Sequence, residues 1–263
     1  MKVLIEQARL SLIATQFLTR LPIPRAFDAW LGWTPERLRA SARYFPLIGI
    51  SVGIVAATFF YVATMMFGAM LAAILTFALT ALMTGAFHED GFVDYADSFG
   101  ATSRERALAI MKDSRIGTFG ALAVVFLTAI KALALASLSP KLAVISLILA
   151  HGLGRSVACV LMRVLPYVRD ESGKAKPLAE KMRPYELAIA LSFAAVLLIT
   201  AASLEISIVR VITVLFALVA FTWWFSLHLK RRLGGFTGDA LGAAEQTSEM
   251  IVLLVFAAVV PTF

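Results

Sequence analysis

The densest group of acidic residues in the sequence lies in one short stretch, GAFHEDGFVDYADSFG, at residues 85–100. If this stretch is helical, Asp90, Asp94 and Asp97 are spaced i, i+4 and i+7 and share one face. Like charges at that spacing repel by roughly 0.2–0.5 kcal/mol per pair, and Glu89 adds to the crowding. Hard divalent cations such as Mg²⁺ bind carboxylate oxygens and keep substrate phosphates as further ligands. The stretch therefore predicts a metal site; the alternative is a solvated acidic cap on a helix end.

Basic residues follow in MKDSRIGTFGA, at residues 111–121, where Lys112, Asp113 and Arg115 precede an apolar run. Arginine can contact two phosphate oxygens at once, whereas lysine acts as a mobile point charge. Acids that could hold a metal, followed by bases that could hold a phosphate, are typical of phosphoryl or nucleotidyl transfer. The alternative for this second motif is a set of ordinary basic residues at a membrane surface.

A third candidate motif, HGLGRSVACVLMRVLPYVRD at residues 151–170, places His151 and Arg155 on one helix face at i, i+4. A charge inside a membrane span costs about 2.5–3.5 kcal/mol at the centre and therefore usually faces a polar interior. We expect Arg155 to point toward the acidic motif, with snorkelling to the surface as the alternative. His151 by itself is more typical of a hydrogen-bonded packing residue than of a metal ligand.

A fourth motif, GGFTGDALGAAEQTSE at residues 234–249, opens the last apolar helix. Asp239 lies near the predicted helix start, and Gln246, seven residues later, falls on the same face. The motif adds a fifth carboxylate to the candidate site, unless Asp239 is a simple N-terminal cap of its helix.

The composition decides which elements can position these motifs. Of 263 residues, 60% are hydrophobic and 16% are charged, against about 45–50% and about 25% in soluble domains. Runs of about 20 apolar residues indicate membrane spans. Such runs occur at residues 46–67, 69–87, 117–138, 141–163, 187–204 and 207–228, and a seventh span results if the run at 249–260 begins near Gly238. The sequence thus predicts an all-α, polytopic integral membrane bundle of about seven transmembrane helices.

Residues 1–45 differ from the rest of the chain. The segment LIEQARLSLIATQFLTRLPIP has a short apolar stretch interrupted by Gln16 and Arg20, and it lacks the cleavage site of a signal peptide. We expect an amphipathic helix lying in the membrane interface. The predicted organisation is an N-terminal interfacial segment, 1–45, and a single membrane-embedded catalytic domain, 46–263. The single cysteine, Cys159, excludes an intramolecular disulfide.

The distribution of basic residues predicts the orientation in the membrane. Of the 24 lysines and arginines, 20 lie in residues 1–45, 88–116, 163–186 and 229–248, which seven spans place on one side. The positive-inside rule makes that side cytoplasmic, together with the N-terminus and the candidate site. The net charge of +7 therefore needs no nucleic-acid partner, and the lipid bilayer is the expected surrounding. The sequence leaves a homo-oligomer open.

Together these motifs resemble a known family. TGAFHEDGFVDYADSFGA, IMKDSRIGTFGALA and GGFTGDALGAA, with QFLTRLPIP and YFPLIGISVG near the N-terminus, are similar to signatures of the adenosylcobinamide-GDP ribazoletransferase (cobalamin synthase) family. The resemblance covers nearly the whole chain in order. One departure is Ser98, where glycine is more often expected, which could stiffen the turn after Asp97.

The resemblance implies a multi-pass enzyme of the bacterial inner membrane. It would join adenosylcobinamide-GDP to α-ribazole or α-ribazole 5′-phosphate, release GMP and need Mg²⁺. The residues implied as metal ligands are Glu89, Asp90, Asp94, Asp97 and Asp239. Those implied as catalytic are Asp94, Asp97, Lys112 and Arg115. We expect four further residues to bind the substrates: Asp113, which the resemblance also implies at the active site, and His88, Arg155 and Gln246.

Two other functions deserve comparison. A CDP-alcohol-type phosphotransferase acting on a lipid also uses clustered aspartates at a membrane face, but the spacing typical of that class is absent. A cation transporter needs acidic residues near the middle of the membrane, whereas Asp90 and Asp239 lie at predicted span ends.

Overall fold

The computed structural model describes residues 2–168, 181–204 and 206–258. These ranges form α-helices connected by turns and short 3-10 segments. The N-terminal helices are α1 (Lys2–Leu18), α2 (Asp28–Leu31) and α3 (Pro35–Ser41). They are followed by α4 (Phe45–Phe67), α5 (Ala69–Thr84), α6 (Phe87–Asp97) and α7 (Arg104–Ile110). The remaining helices are α8 (Thr118–Ala136), α9 (Pro140–Val164), α10 (Pro184–Ser203), α11 (Ile208–Arg232) and α12 (Gly238–Ala257).

The predicted polytopic architecture is confirmed, with one correction to the second span. Within the described residues, six helices are long and apolar enough to cross a membrane, and a bent pair brings the number to seven. The run predicted at 69–87 stops at Thr84, and the chain then turns by 96° into α6. Gly85 and Ala86 both adopt left-handed conformations, with φ of 67° and 52°, which ends α5 and redirects the chain. At about 1.5 Å per residue, α5 alone is shorter than a full span of about 30 Å.

Helix α9 forms the centre of the bundle and packs against α4, α10, α11 and α12. Glycines permit its close approach to α4: a Cβ added at Gly53 would lie 2.8 Å from the Ile148 Cα, and one at Gly49 would collide with the His151 carbonyl. Small residues at helix interfaces are the usual means of close packing in membranes. Many large apolar side chains on α8 and α11, such as Phe126 and Phe216, instead remain exposed, as on a lipid-facing surface.

The N-terminal segment packs onto this bundle. Phe17 of α1 stacks on Phe45, with ring centroids 5.7 Å apart. Arg39 and Arg43 form ion pairs of 2.9 and 2.8 Å with Glu186, which is buried at the start of α10. The segment is helical as expected, and its position in the membrane interface stays a prediction.

One end of the bundle is held together by contacts between loops that are distant in sequence. The Arg20 amide donates to the Met83 carbonyl at 2.6 Å, and the Arg104 Nε donates to the Leu233 carbonyl at 2.6 Å. Phe236 donates through its amide to the Pro166 carbonyl at 2.9 Å. These bonds hold the segments in and around the first, third and fourth motifs at the same end.

Candidate functional site

Helices α6 and α12 meet at two glycines. A Cβ added at Gly91 would lie 3.0 Å from the Asp239 Cα, and one at Gly242 would lie 2.9 Å from the His88 carbonyl oxygen. The two backbones therefore touch, because neither glycine carries a side chain at the contact. His88 is buried between the helices, where it supports the packing.

This contact brings Asp239, from the fourth motif, close to the acidic motif on α6. Asp90 and Asp94 lie on either side of Gly91 along α6, and the Asp239 backbone lies against Gly91 itself. Asp90 is exposed, whereas Asp94 and Asp239 are half-buried. The structure thus brings the backbone of Asp239 against the helix that carries Asp90 and Asp94, although nearly 150 residues separate them in the sequence. Oxygen donors of this kind fit a hard cation and a phosphate ligand.

Asp97, the last acidic residue of α6, binds backbone amides at the start of α8. Its two carboxylate oxygens accept the Gly117 amide at 2.8 Å and the Gly120 amide at 2.7 Å. An acid at this position satisfies N–H groups that the first turn of α8 leaves unpaired, and it complements the helix dipole. A side chain at either glycine would collide with the carboxylate. Asp97 therefore fixes α6 against the start of α8.

The basic motif precedes α8 at the same place. Lys112 is exposed, and Arg115 donates from Nε and Nη2 to Asp113 at 3.0 and 2.6 Å. Hydrogen bonds from the side chain and backbone of Arg115 lower the pKa of Asp113 to about 2, so the carboxylate is ionised at neutral pH. The arginine fork is thereby paired with the Asp113 carboxylate, two residues before the Gly117 amide that donates to Asp97.

A second group of charged residues lies inside the bundle. Lys131 of α8 contacts Glu249 of α12 at 2.5 Å and donates to the Gln246 side chain at 2.9 Å. Arg155 of α9 pairs with Glu245 at 2.7 Å, and His151 contacts Glu249 through Nδ1. All six side chains are buried. We refer to Lys131, His151, Arg155, Glu245, Gln246 and Glu249 as the buried network.

The buried network reaches the acidic helix through one side chain. The Gln246 amide nitrogen donates to Glu245 at 3.0 Å and to Glu89 of α6 at 3.3 Å. Glu89 is therefore connected to the interior of the bundle, whereas its neighbour Asp90 is exposed. This arrangement differs from the expectation that Arg155 points toward the aspartates, because Glu245 provides a closer carboxylate.

Residues 10–257 match the cobalamin-5-phosphate synthase family. The chain belongs to this family. It is 43% identical to the adenosylcobinamide-GDP ribazoletransferase of Leptothrix cholodnii over 259 residues, with 97% of both chains covered. It is 40% identical to the enzyme of the same name from Vibrio parahaemolyticus over 252 residues, covering 94% of this chain and 91% of the relative. No solved structure matches the chain.

The motifs of this cobalamin-5-phosphate synthase family member predict only part of the buried network, because they single out His151, Arg155 and Gln246 but neither Glu245 nor Glu249. Two carboxylates one helical turn apart within a predicted span require buried cations. Lys131 lies within another span and Arg155 within a third. Since a lone intramembrane charge is costly, these residues could have been paired from sequence.

The donor atoms of His151, Glu245 and Glu249 lie within 4.8 Å of one another, close enough to suggest a metal site. However, Lys131 and Arg155 already contact the two carboxylates and balance their charges. A divalent cation there would add uncompensated positive charge in the bundle interior. In this member of the family, the exposed and half-buried aspartates of α6 and α12 suit a hydrated metal better.

Proposed function

We propose that this chain is an adenosylcobinamide-GDP ribazoletransferase that joins adenosylcobinamide-GDP to α-ribazole or its 5′-phosphate and releases GMP. The names of its relatives support this reaction, and the contact of the Asp239 backbone with the helix that carries Asp90 and Asp94 supports a site for it. We further propose the bacterial inner membrane as its location. The concentration of basic residues on one side favours a cytoplasmic N-terminus and active site.

The reaction requires one bond to form and one to break. The acceptor hydroxyl attacks the phosphorus attached to the corrinoid, and the bond from that phosphorus to the bridging oxygen breaks. GMP leaves with the bridging oxygen, and the hydroxyl proton passes to a base. Catalysis of this type depends mainly on positioning and charge neutralisation.

We assign proton acceptance, stabilisation of the leaving group and positioning to different residues of the site. Asp97 is poorly placed to accept the proton, because both its oxygens accept backbone hydrogen bonds, and we assign that role to Asp94, about one helical turn earlier on α6. Lys112 and Arg115 lie in the loop that leads into α8 and can stabilise the leaving phosphate. Asp113 orients the arginine fork, and Gln246 holds Glu89.

A Mg²⁺ ion fits this donor set, which offers carboxylate oxygens at a half-exposed surface. We propose Asp90, Asp94 and Asp239 as its ligands, with Glu89 and Asp97 as supporting residues. When bound, the ion would neutralise charge on the diphosphate. The aspartates, crowded on two touching helices, would in turn be relieved of their mutual repulsion.

The two alternative functions have less support. The relatives named above are ribazoletransferases and not lipid phosphotransferases. A transporter would use ionisable groups in the bundle interior, and Glu249 does lie there. Yet its carboxylate contacts both Lys131 and His151, which describes a closed ion-paired network and not a cation pathway.

The purified protein in lipid or detergent should release GMP when supplied with adenosylcobinamide-GDP, α-ribazole 5′-phosphate and Mg²⁺. The release should stop on chelation of Mg²⁺ and return when Mg²⁺ is restored. Chromatographic detection of GMP and of the corrinoid product measures both. Release of GMP without a nucleotide-containing corrinoid would indicate hydrolysis and contradict the transferase assignment.

Arg115→Ala should lower both kcat and kcat/KM, because the lost charge stabilises a leaving group whose charge grows in the transition state. Arg115→Lys should recover only part of the loss, since an ammonium cannot contact two phosphate oxygens in a fork. Steady-state kinetics of the two variants test this. Full activity of Arg115→Lys would show that the residue merely anchors the start of α8 by its charge.

A further inference from the structure

A cavity of about 410 Å³ lies between α1 and the α5–α6 bend. Its wall includes Phe17, Trp33, Phe87 and the polar side chains of Gln16 and Arg20. The volume falls within the roughly 300–1,000 Å³ typical of small-molecule sites. Several aromatic rings with a few polar groups are the usual lining for a planar heteroaromatic ligand.

The cavity lies next to the carboxylate site. Phe87 belongs to both, because it lines the cavity and opens the helix that carries Asp90 and Asp94. Asp90 follows Phe87 by three residues, which places it slightly less than one helical turn, or about 4.5 Å, along α6. A ligand seated on Phe87 could therefore extend a hydroxyl group toward the aspartates.

Two of the lining residues are held in place by the fold. Phe87 packs edge-on against Phe17, with centroids 5.4 Å apart. Arg37 donates to the carbonyls of Leu31 and Gly32 at 3.2 and 2.6 Å, which fixes the turn that presents Trp33. The Trp33 side chain itself is 55% exposed, so a ring could stack on it at little cost to the packing.

Arg20 adds a positive charge to this cavity. Its backbone amide is bonded to Met83, and its side chain lies over Gly85, the glycine that bends the chain into α6. Among the described residues, no carboxylate forms an ion pair with its guanidinium. An arginine without a carboxylate partner beside an aromatic cavity is suited to bind a phosphate group through two hydrogen bonds.

From this geometry we infer that the cavity is the acceptor subsite, in which Trp33 and Phe87 hold the aromatic base and Arg20 binds the 5′-phosphate of a phosphorylated ribonucleoside. The inference rests on the proposed function, which supplies an acceptor made of a heteroaromatic base and a ribose. It assigns Arg20 as the residue that distinguishes α-ribazole 5′-phosphate from α-ribazole. A membrane phospholipid carries the same phosphate chemistry, and the experiment separates the two sources.

Steady-state kinetics with each acceptor in the same detergent provide the test. Arg20→Gln should raise KM for α-ribazole 5′-phosphate by about tenfold or more, which corresponds to one charge-assisted contact. KM for α-ribazole should change by less than about twofold, since it has no phosphate. Trp33→Ala should raise KM for both acceptors by about tenfold, and Trp33→Phe should restore most of the affinity because it keeps a ring.

Arg231→Gln serves as the matched control, because Arg231 is an exposed arginine at the end of α11 and lies outside the cavity. It should affect neither KM. An equal effect of Arg20→Gln on both acceptors would overturn the assignment and favour a lipid phosphate or a structural role. Unchanged kinetics in Trp33→Ala would remove the base from this cavity.

A binding measurement separates failure of this inference from failure of the proposed function. Equilibrium dialysis of α-ribazole 5′-phosphate, without the corrinoid donor, measures binding of the acceptor to the protein independently of the reaction. Wild type should bind the nucleotide, and Arg20→Gln should bind it at least about tenfold more weakly. If wild type binds the acceptor in this way yet releases no GMP from the donor, the proposed reaction fails while the subsite stands. Equal binding by wild type and Arg20→Gln contradicts the subsite, whatever the activity.

Discussion

Asp94→Asn should reduce GMP release by about 10²–10⁴-fold, the usual contribution of a general acid–base group. The substitution keeps the shape of the side chain and removes one negative charge from α6. Asp94 is half-buried next to the Gly91–Asp239 contact, so the loss falls both on proton acceptance and on the proposed metal site. The kcat measured at saturating Mg²⁺ gives the first effect, and the Mg²⁺ concentration for half-maximal activity gives the second.

Asp28→Asn is the matched control, because Asp28 is an exposed aspartate in the N-terminal segment. It should retain full activity. Asp94→Asn should also insert into the membrane and purify like wild type, since asparagine keeps the shape of the side chain. Near-normal GMP release by Asp94→Asn would mean that the acidic motif is a solvated acidic cap on a helix end and not a metal site.

The membrane spans could be predicted from sequence because they depend on composition alone. The apolar run predicted at 117–138 corresponds to α8 at Thr118–Ala136, and that at 141–163 corresponds to α9 at Pro140–Val164. The break after Thr84 could not be predicted in the same way. Gly85 is a common helix terminator, but the left-handed conformation of Ala86 is set by the tertiary packing of α6 against α12.

The acidic motif illustrates the same limit at the level of the site. Its i, i+4, i+7 spacing correctly placed Asp90, Asp94 and Asp97 on one helix, but spacing cannot assign a partner to each residue. Asp97 faces the start of α8, where amide groups take up its oxygens. Asp94, one turn earlier, lies beside the contact with α12. Which acid supports the fold and which is available for chemistry follows from the neighbouring helices.

A substitution in the buried network should have a large effect on the stability of the protein. Lys131→Met should destabilise the protein by about 3–5 kcal/mol, the cost of leaving one partner of a buried ion pair without the other. The Lys131 ammonium lies 2.5 Å from Glu249 and 4.7 Å from the centre of the Phe77 ring. Methionine keeps much of the volume but leaves the Glu249 carboxylate with His151 and with Arg155, 3.8 Å away, in place of its closest ammonium. Thermal unfolding in a fixed detergent measures the loss, and Lys230→Met, at an exposed position of α11, is the control.

The double variant Lys131→Met/Glu249→Gln shows whether the loss comes from the uncompensated charge. If it does, neutralising Glu249 should return a large part of the stability lost in Lys131→Met, so that the two substitutions are strongly non-additive. Two independent losses that simply add would show that Lys131 contributes through packing and not through its charge. A transporter would behave differently again, because removing either charge would alter cation flux in reconstituted vesicles.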